Sequence, residues 1–185
     1  MSHPRVADRE RSVLLLIDLQ ESYRGKLHEE ERTLRATARL LDAARILDIP
    51  VILTEQYPER LGPTREEISL QLPDSVARFA KRSFSCLAAD GLRAHLEQLG
   101  RKQLVLAGIE THVCVGQTGH DLLQAGFQVY AVRDAITARF PLDDDVGFAK
   151  LTGSGAIPIS VEGVLFEWVR DSRAPEFKAI HHLVR

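Results

Sequence analysis

The sequence predicts a doubly wound α/β fold with three layers, in which a parallel sheet lies between two layers of helices. Short apolar runs alternate with amphipathic stretches along all 185 residues. The runs are apolar at nearly every position, which is typical of parallel strands covered on both faces. A chain of this length favours one domain, here residues 1–185.

Five apolar runs are predicted to form the strands. The first run, SVLLLID, ends in an acid, and four more follow at intervals that leave room for a helix. The predicted strands are residues 12–18, 49–54, 103–108, 127–132 and 156–160. All of them are much shorter than the roughly 20 apolar residues that a membrane helix needs.

Six amphipathic stretches are predicted to form the helices, because apolar or small residues recur there at helical spacing. The predicted helices are residues 33–47, 86–100, 111–126, 143–155, 161–169 and 175–184. Thr111 is expected to be an N-cap, and Gly100 and Gly126 are expected to stop their helices. The acids Asp143, Asp144 and Asp145 open one helix, as the helix dipole favours.

One long segment, residues 55–80, has no clear period and is expected to be an irregular loop. Loops of this length inside a compact domain are often lids or binding loops. We therefore expect this segment to shape a binding pocket.

Composition and missing sequence motifs argue against several classes of function. The net charge is −2 with scattered Lys and Arg, which gives no electrostatic reason to expect nucleic acid or an anionic membrane as partner. Two distant cysteines and no signal-peptide pattern predict a cytoplasmic protein without disulfides. The chain has no Asn, which excludes a papain-type triad. It also has no complete glycine fingerprint for a dinucleotide, no GxSxG elbow and no Walker loop.

Three reactive side chains are expected at the carboxyl edge of the sheet, where open α/β folds bind ligands. Asp18 ends the first strand, Lys81 closes the long loop, and Cys114 opens the helix after the third strand. The positive end of that helix is expected to lower the thiol pKa. Taken singly, each has a plain structural explanation: a turn cap, a solvated lysine and a small buried hydrophobe.

The chain resembles the isochorismatase-like cysteine hydrolases, and its long loop resembles the isochorismatase-domain and YcaC-type subgroup. The segments LLLIDLQESY, KRSFSC and LAGIETHVCVGQTGHDLLQAGFQVYAVRDAITAR carry the resemblance, which extends over nearly the whole chain. It implies a Rossmann-like parallel sheet of five or six strands. It also implies hydrolysis of a small amide-type substrate, a homo-oligomer and no cofactor.

The resemblance assigns roles to particular residues. It implies a catalytic Asp18–Lys81–Cys114 triad and a cis peptide between Ile109 and Glu110. The backbone N–H groups of Glu110 and Cys114 would then form an oxyanion hole, which is the kind of device that stabilises a tetrahedral intermediate.

The predicted substrate pocket is small and partly apolar. It is expected to be formed by Gln56, Tyr57, Leu61, Phe84 and Val115.

No metal site is expected. The nicotinamidase branch of the family binds a metal through an Asp-x-His pair, whereas this chain reads TEQYPE there and has no His between residues 29 and 94. Cys86 is interpreted as a packing residue. The alternative to an enzyme is a non-catalytic ligand-binding or interaction protein on the same fold.

Overall fold

The computed structural model describes residues 3–72 and 76–185. It contains a six-stranded parallel sheet in the order β3-β2-β1-β4-β5-β6. The strands are β1 (Ser12–Ile17), β2 (Val51–Gln56), β3 (Ala77–Lys81), β4 (Gln103–Ile109), β5 (Gln128–Thr137) and β6 (Ile157–Ile159). Residues 1–2 of the predicted domain and 73–75 of the predicted loop lie outside the described residues.

Helices cover both faces of this sheet, which confirms the predicted three-layer, Rossmann-like α/β fold. They are α1 (Glu30–Ile46), α2 (Pro58–Leu61), α3 (Glu66–Ser69), α4 (Leu92–Leu99), α5 (Gly116–Gln124), α6 (Pro141–Gly153), α7 (Val161–Val169) and α8 (Phe177–Leu183). Buried residues of α1, α7 and α8 pack on one face, and those of α4, α5 and α6 pack on the other.

The central strand β1 shows why both faces must be covered. All six of its residues are buried. Leu14 and Leu16 belong to the apolar cluster under α1 and α7, whereas Val13, Leu15 and Ile17 belong to the cluster under α4 and α5. Successive side chains of a strand point to opposite faces, so a strand that is apolar throughout needs a helix layer on each side.

The strand register brings the carboxyl ends of five strands to one edge. Ile17 of β1 lies beside Thr54 of β2 and Gly108 of β4. At the flanks, Gln56 of β2 pairs with Lys81 of β3, and Ile109 of β4 pairs with Thr137 of β5. The residues that follow β1 and β4 and the last residue of β3 therefore lie at the same edge of the sheet.

The predicted irregular loop 55–80 is wrong in part. Its described residues contain the end of β2, the short helices α2 and α3, and the edge strand β3. In β3 the exposed Arg78 and Ala80 alternate with the half-buried Ala77 and Phe79. This alternation is typical of a strand with one face in the core. Lys81 therefore ends a strand and does not close a loop.

Two predicted helices begin with a turn of another kind. In the stretch 86–100, a 3-10 turn (Cys86–Ala88) comes before α4, because Gly91 has a φ of +80° and interrupts the helix. In the stretch 111–126, a π-helical turn (Thr111–Val115) comes before α5. Among the described residues, no helix has the length and apolar character that crossing a membrane requires.

Candidate active site

Asp18 and Lys81 form a buried ion pair at the carboxyl edge of the sheet. The Nζ atom of Lys81 lies 2.7 Å from Oδ2 of Asp18, and the two side chains are only 0% and 3% exposed. Asp18 has a φ of +55° directly after β1, so the chain turns sharply at this residue. The acid predicted at the end of strand one and the cation predicted from the KRSFSC motif thus meet across β2.

The ammonium group of Lys81 has more acceptors than protons. Besides Asp18, it donates to Oε1 of Gln56 at 2.6 Å and to the carbonyls of Ser83 and Phe84 at 3.3 and 3.1 Å. Burial has the largest single effect and lowers the pKa of Lys81, but the charge of Asp18, its hydrogen bond to Lys81 and the two neighbouring cysteines together outweigh burial, so the net pKa is raised. Lys81 is therefore a fixed positive charge at neutral pH.

Thr54 fixes the other oxygen of the same carboxylate. Its hydroxyl donates to Oδ1 of Asp18 at 2.8 Å, and the Thr54 side chain is fully buried at the end of β2. Asp18 therefore receives one hydrogen bond on each oxygen, from Thr54 and from Lys81. This arrangement holds the carboxylate in one orientation while its remaining lone pairs stay available.

Cys114 lies beside this ion pair, in the π-helical turn that follows β4. It is 7% exposed, and its Sγ atom is 4.0 Å from Oε1 of Gln56, the oxygen that also accepts from Lys81. The structure thus brings the three predicted triad residues to one place.

The expected lowering of the thiol pKa is wrong for this structure. Burial raises the pKa of Cys114 well above its ordinary value, and the negative charge of Asp18 raises it further. The positive charge of Lys81 lowers it, but does not compensate. At neutral pH the sulfur is therefore a protonated thiol that needs a base before it can act as a nucleophile.

The backbone before Cys114 has unusual geometry. The peptide bond between Ile109 and Glu110 is cis. The carbonyl of Glu110 accepts from the amides of Val113 and Val115, which closes the turn around Cys114. The first four N–H groups of a helix have no hydrogen-bond partner inside the helix. Cys114 is the fourth residue of this turn, so its backbone N–H belongs to this group.

Helix α6 anchors the turn through a buried hydrogen bond. The hydroxyl of Thr111 donates to Oδ1 of Asp144, and Arg133 binds the other oxygen of Asp144 at 2.9 Å. Asp144 is fully buried, so it is a structural anchor as well as a helix-opening charge. The predicted N-cap role of Thr111 is wrong, because its side chain reaches α6 instead of its own turn.

A second ion pair is formed by Glu110, the residue just before the turn. Oε2 of Glu110 accepts from both the backbone N–H and the Nε of Arg139, at 3.0 and 2.9 Å. The side chain of Glu110 is 6% exposed, whereas that of Arg139 is 46% exposed. The positive charge of Arg139 thus compensates the negative charge of Glu110.

The predicted pocket residues lie at different distances from the triad. Gln56 contacts Lys81 and lies near Cys114, and Phe84 is exposed at the rim with its carbonyl bound to Lys81. The guanidinium of Arg82 lies over the ring of Tyr57, with its Cζ atom 3.5 Å from the ring centroid. Tyr57 lines a cavity of about 310 Å³ together with Lys81 and Arg82. Asp18 and Cys114 are not among the residues that line this cavity.

The two remaining predicted residues are buried to different degrees. Val115 is fully buried in the apolar cluster under α5. Leu61 is half-buried at the end of α2. Their contact with a substrate stays a prediction.

Cys86 is fully buried beneath the ion pair. Its sulfur lies 3.5 Å from the hydroxyl of Thr54, and burial raises its thiol pKa to about 11. Both features suit the packing role inferred from the sequence. Within residues 3–72 and 76–185, no group of three or more His, Cys, Asp or Glu side chains is arranged to hold a metal ion.

Sequence reasoning missed Thr54 and Arg139. Thr54 was placed at the end of a predicted strand, so a polar residue at the carboxyl edge was an available signal. Arg139 was missed because strand four was predicted to stop at residue 132, whereas β5 continues to Thr137. The true strand end puts Arg139 at the same edge as Asp18, Lys81 and Cys114.

The chain matches a known family over most of its length. The family described as Isochorismatase domain matches residues 12–163. The zebrafish (Danio rerio) isochorismatase domain-containing protein 2 is 39% identical over 174 residues, which cover 94% of this chain and 86% of that protein. The secreted isochorismatase effector Isc1 of Phytophthora sojae is 39% identical over 178 residues, covering 94% and 84%.

Solved structures have the same fold. The Caenorhabditis elegans MAR1 ribonuclease superposes with a TM-score of 0.92 at 35% identity and covers 97% of this chain and 92% of its own. YcaC of Escherichia coli, described as an octameric hydrolase of unknown specificity, superposes with a TM-score of 0.90 at 24% identity, covering 99% and 91%. The match over residues 12–163, together with these relatives, shows that the chain belongs to the isochorismatase domain family.

Proposed function

We propose that the protein is a cysteine hydrolase that cleaves the C–N bond of a small amide through a thioester on Cys114. The observation that carries this proposal is the buried Asp18–Lys81 pair beside the buried sulfur of Cys114. A carboxylate held on both oxygens next to a thiol of raised pKa is a base next to its acid.

The first half of the reaction forms the thioester. Asp18 accepts the proton of the Cys114 thiol while the sulfur attacks the amide carbonyl carbon. The backbone N–H groups of Glu110 and Cys114 receive the developing negative charge on the carbonyl oxygen. The C–N bond then breaks, and the nitrogen leaves as ammonia or an amine with the proton that Asp18 had taken.

The second half of the reaction releases the acid. Asp18 accepts a proton from water, and the hydroxide oxygen attacks the thioester carbon. The C–S bond breaks, the product leaves as a carboxylic acid, and the thiol of Cys114 regains its proton from Asp18. Throughout both halves Lys81 keeps its charge and holds the Asp18 carboxylate.

Substitution of the triad tests this proposal. Cys114→Ala and Asp18→Asn should each lower kcat by about 10³-fold or more against a panel of small primary amides, because each removes a group that takes part in bond making. Cys86→Ala is the matched control, with at most a few-fold effect expected. An active wild-type protein whose activity survives in both triad variants would refute the mechanism.

Trapping separates the enzyme from the alternative of a non-catalytic binding protein. Rapid acid quenching of the wild type with substrate should give an adduct on Cys114, with the mass of the acyl group, by mass spectrometry. Binding of amides without an adduct and without turnover would favour the binding protein.

We propose, further, a homo-oligomer in the cytoplasm. The octameric YcaC supports assembly. The two free, buried cysteines are typical of a reducing compartment. Fractionation of the native cell tests this location, and recovery of the protein outside the cell, as for the secreted relative Isc1, would contradict it.

A further inference from the structure

A groove of about 230 Å³ lies between α6 and the stretch that runs from the turn carrying Cys114 into α5. The turn and α5 line this groove with Thr111, His112, Gly116, Gln117 and His120, and α6 lines it with Val146, Gly147 and Lys150. Asp18, Lys81 and Cys114 are not among the lining residues, so the groove is separate from the candidate active site.

The polar side chains of the groove are rich in nitrogen donors. They include two imidazoles, one ammonium group and one amide, from His112, His120, Lys150 and Gln117. No carboxylate is among the lining residues, and Lys150 forms no ion pair with any residue that the structure describes. A cleft lined by charges of one sign attracts ligands of the opposite sign, so this lining favours an anion.

His120 has an acceptor at each ring nitrogen. Its Nδ1 lies 2.5 Å from the carbonyl oxygen of Gly116, and its Nε2 lies 3.1 Å from the hydroxyl oxygen of Ser154. That hydroxyl donates its own proton to the carbonyl of Lys150 at 2.9 Å, which leaves its oxygen to accept from His120. An imidazolium, which donates from both nitrogens, satisfies both acceptors. These contacts therefore favour a second positive charge in the groove, in addition to that of Lys150.

His112 supplies a donor even when its ring is uncharged. Its Nδ1 is buried and has no hydrogen-bond partner among the described residues, although the residue as a whole is half-buried. A buried N–H without a partner is rarer and more costly than an unpaired lone pair. The proton of the neutral ring therefore belongs on Nε2, which is the nitrogen left to bind a ligand.

We propose that this groove binds a small oxyanion, a phosphate or a carboxylate group, between α5 and α6. Lys150 and Nε2–H of His112 donate to the oxygens of the anion, and His120 contributes positive charge. Gly147 of α6 packs directly against the backbone of His112. The bound anion therefore joins α6 to the turn that carries Cys114. This inference concerns a site outside the catalytic crevice and does not depend on the proposed function.

Proton NMR of the histidine rings tests the site, because the chain has only seven histidines. The wild type is titrated with inorganic phosphate, acetate or chloride at constant pH and ionic strength. The signals of His112 and His120, assigned through His112→Gln and His120→Gln, should shift together and saturate with phosphate or acetate, with a Kd of about 1 mM or tighter. The anion that saturates them identifies the chemical group. Shifts that stay linear for all histidines with all three anions would overturn the proposal.

Substitution of the lysine locates the anion. Lys150→Gln should weaken binding about tenfold, because it removes a charged donor. Lys150 is exposed, so its replacement should leave the fold intact, and light scattering should give an unchanged mass. Lys178→Gln is the matched control, since Lys178 is an exposed lysine on α8. An equal Kd for the wild type and Lys150→Gln would overturn the assignment.

Blocking the catalytic crevice separates the two sites. Alkylation of Cys114 by iodoacetamide should abolish any amide turnover and leave the Kd for the anion unchanged. Loss of anion binding after alkylation would place the anion in the crevice and overturn the proposal. Anion binding in a protein without amide turnover would leave the groove standing and refute only the hydrolase.

Discussion

The sulfur of Cys114 shows how burial and a neighbouring charge decide the chemistry of one atom. A helix N-terminus stabilises a thiolate by a fraction of a charge, whereas burial and the full charge of Asp18 oppose it. The opposing effects prevail, so the thiol is protonated at rest. A protonated nucleophile is protected from oxidants until a substrate is present.

This protonation can be measured by alkylation. In Cys86→Ala, where Cys114 is the remaining cysteine, the rate of reaction with iodoacetamide should keep rising beyond pH 9. The reason is that a raised pKa leaves the thiolate fraction growing about tenfold per pH unit through this range. Free cysteine, with a pKa near 8.5, is the reference and should level off first. A plateau below pH 8 would show a resting thiolate and contradict this expectation.

Thr54 offers a second test at a single side chain. Thr54→Val removes one of the two hydrogen bonds to Asp18, so kcat should fall about tenfold with little change in KM. The free energy of unfolding should fall by about 1–3 kcal/mol, because the buried carboxylate loses a donor. Thr54→Ser, which keeps the hydroxyl, should restore most of kcat.

Thr33→Val is the matched control for that experiment. Thr33 is also fully buried, but its hydroxyl has no hydrogen-bond partner among the described residues. Its removal should leave stability unchanged or slightly increased. Equal effects of Thr33→Val and Thr54→Val on kcat would argue against a positioning role for Thr54.

The turn that carries Cys114 depends on a close contact with α6. A Cβ atom on Gly147 would lie 2.8 Å from both the Cα and the N of His112, inside this turn. Backbone atoms cannot move aside cheaply, so the glycine allows α6 to lie directly against the turn. The anchor from Thr111 to Asp144 acts between the same two elements.

Gly147→Ala should therefore displace the turn. We expect a loss of about 1–3 kcal/mol in the free energy of unfolding and a fall in kcat, because overpacking moves the backbone next to Cys114. Gly153→Ala is the control on the same helix, since a Cβ there meets nothing within 4 Å. Thermal unfolding and amide turnover would be measured for both. Similar losses in the two variants would show that helix propensity, not this contact, is responsible.

The edge strand β3 shows where sequence reasoning about elements fell short. Buried central strands are apolar runs and were predicted, whereas β3 is five residues with one exposed face. The alternation of exposed and half-buried residues in β3 is hard to recognise in the sequence, because a polar segment comes directly before it. The same limit applies to β5, where residues 133–134 are half-buried and the run of apolar residues breaks before the strand ends.

Over the whole molecule, the fold class and the proximity of Asp18, Lys81 and Cys114 could be predicted, but the surroundings of these three residues could not. The order of apolar runs determines a parallel sheet, and the edge rule places Asp18 and Cys114. Partners such as Arg139 or Thr54 depend on the register between strands and on where each strand stops. Short-range periodicity carries little information about either.

At the scale of the whole molecule, the exposed surface indicates how copies of the chain assemble. Three large apolar side chains are exposed in and just before α6, with Phe140 at 58%, Leu142 at 73% and Val146 at 58%. Exposed apolar patches often mark contacts between protein chains. We expect this patch to be covered by a second copy of the chain.

Light scattering can test this expectation. The wild type should have a mass that is a multiple of the 20.7 kDa chain, and Leu142→Glu/Val146→Glu should shift it toward the monomer. Leu70→Glu is the control, because Leu70 is 78% exposed but follows α3. A wild-type mass of one chain at tens of micromolar would contradict the expectation.

The four oxygens around the ammonium of Lys81 have a consequence for how the site keeps its charge. An inner shell of oxygen ligands around a cation is what a bound metal ion would have, but here the cation is part of the chain. It cannot dissociate, exchange with another ion or be removed by a chelator. The supply of positive charge to the carboxylate therefore depends on folding alone and not on the ionic composition of the surroundings.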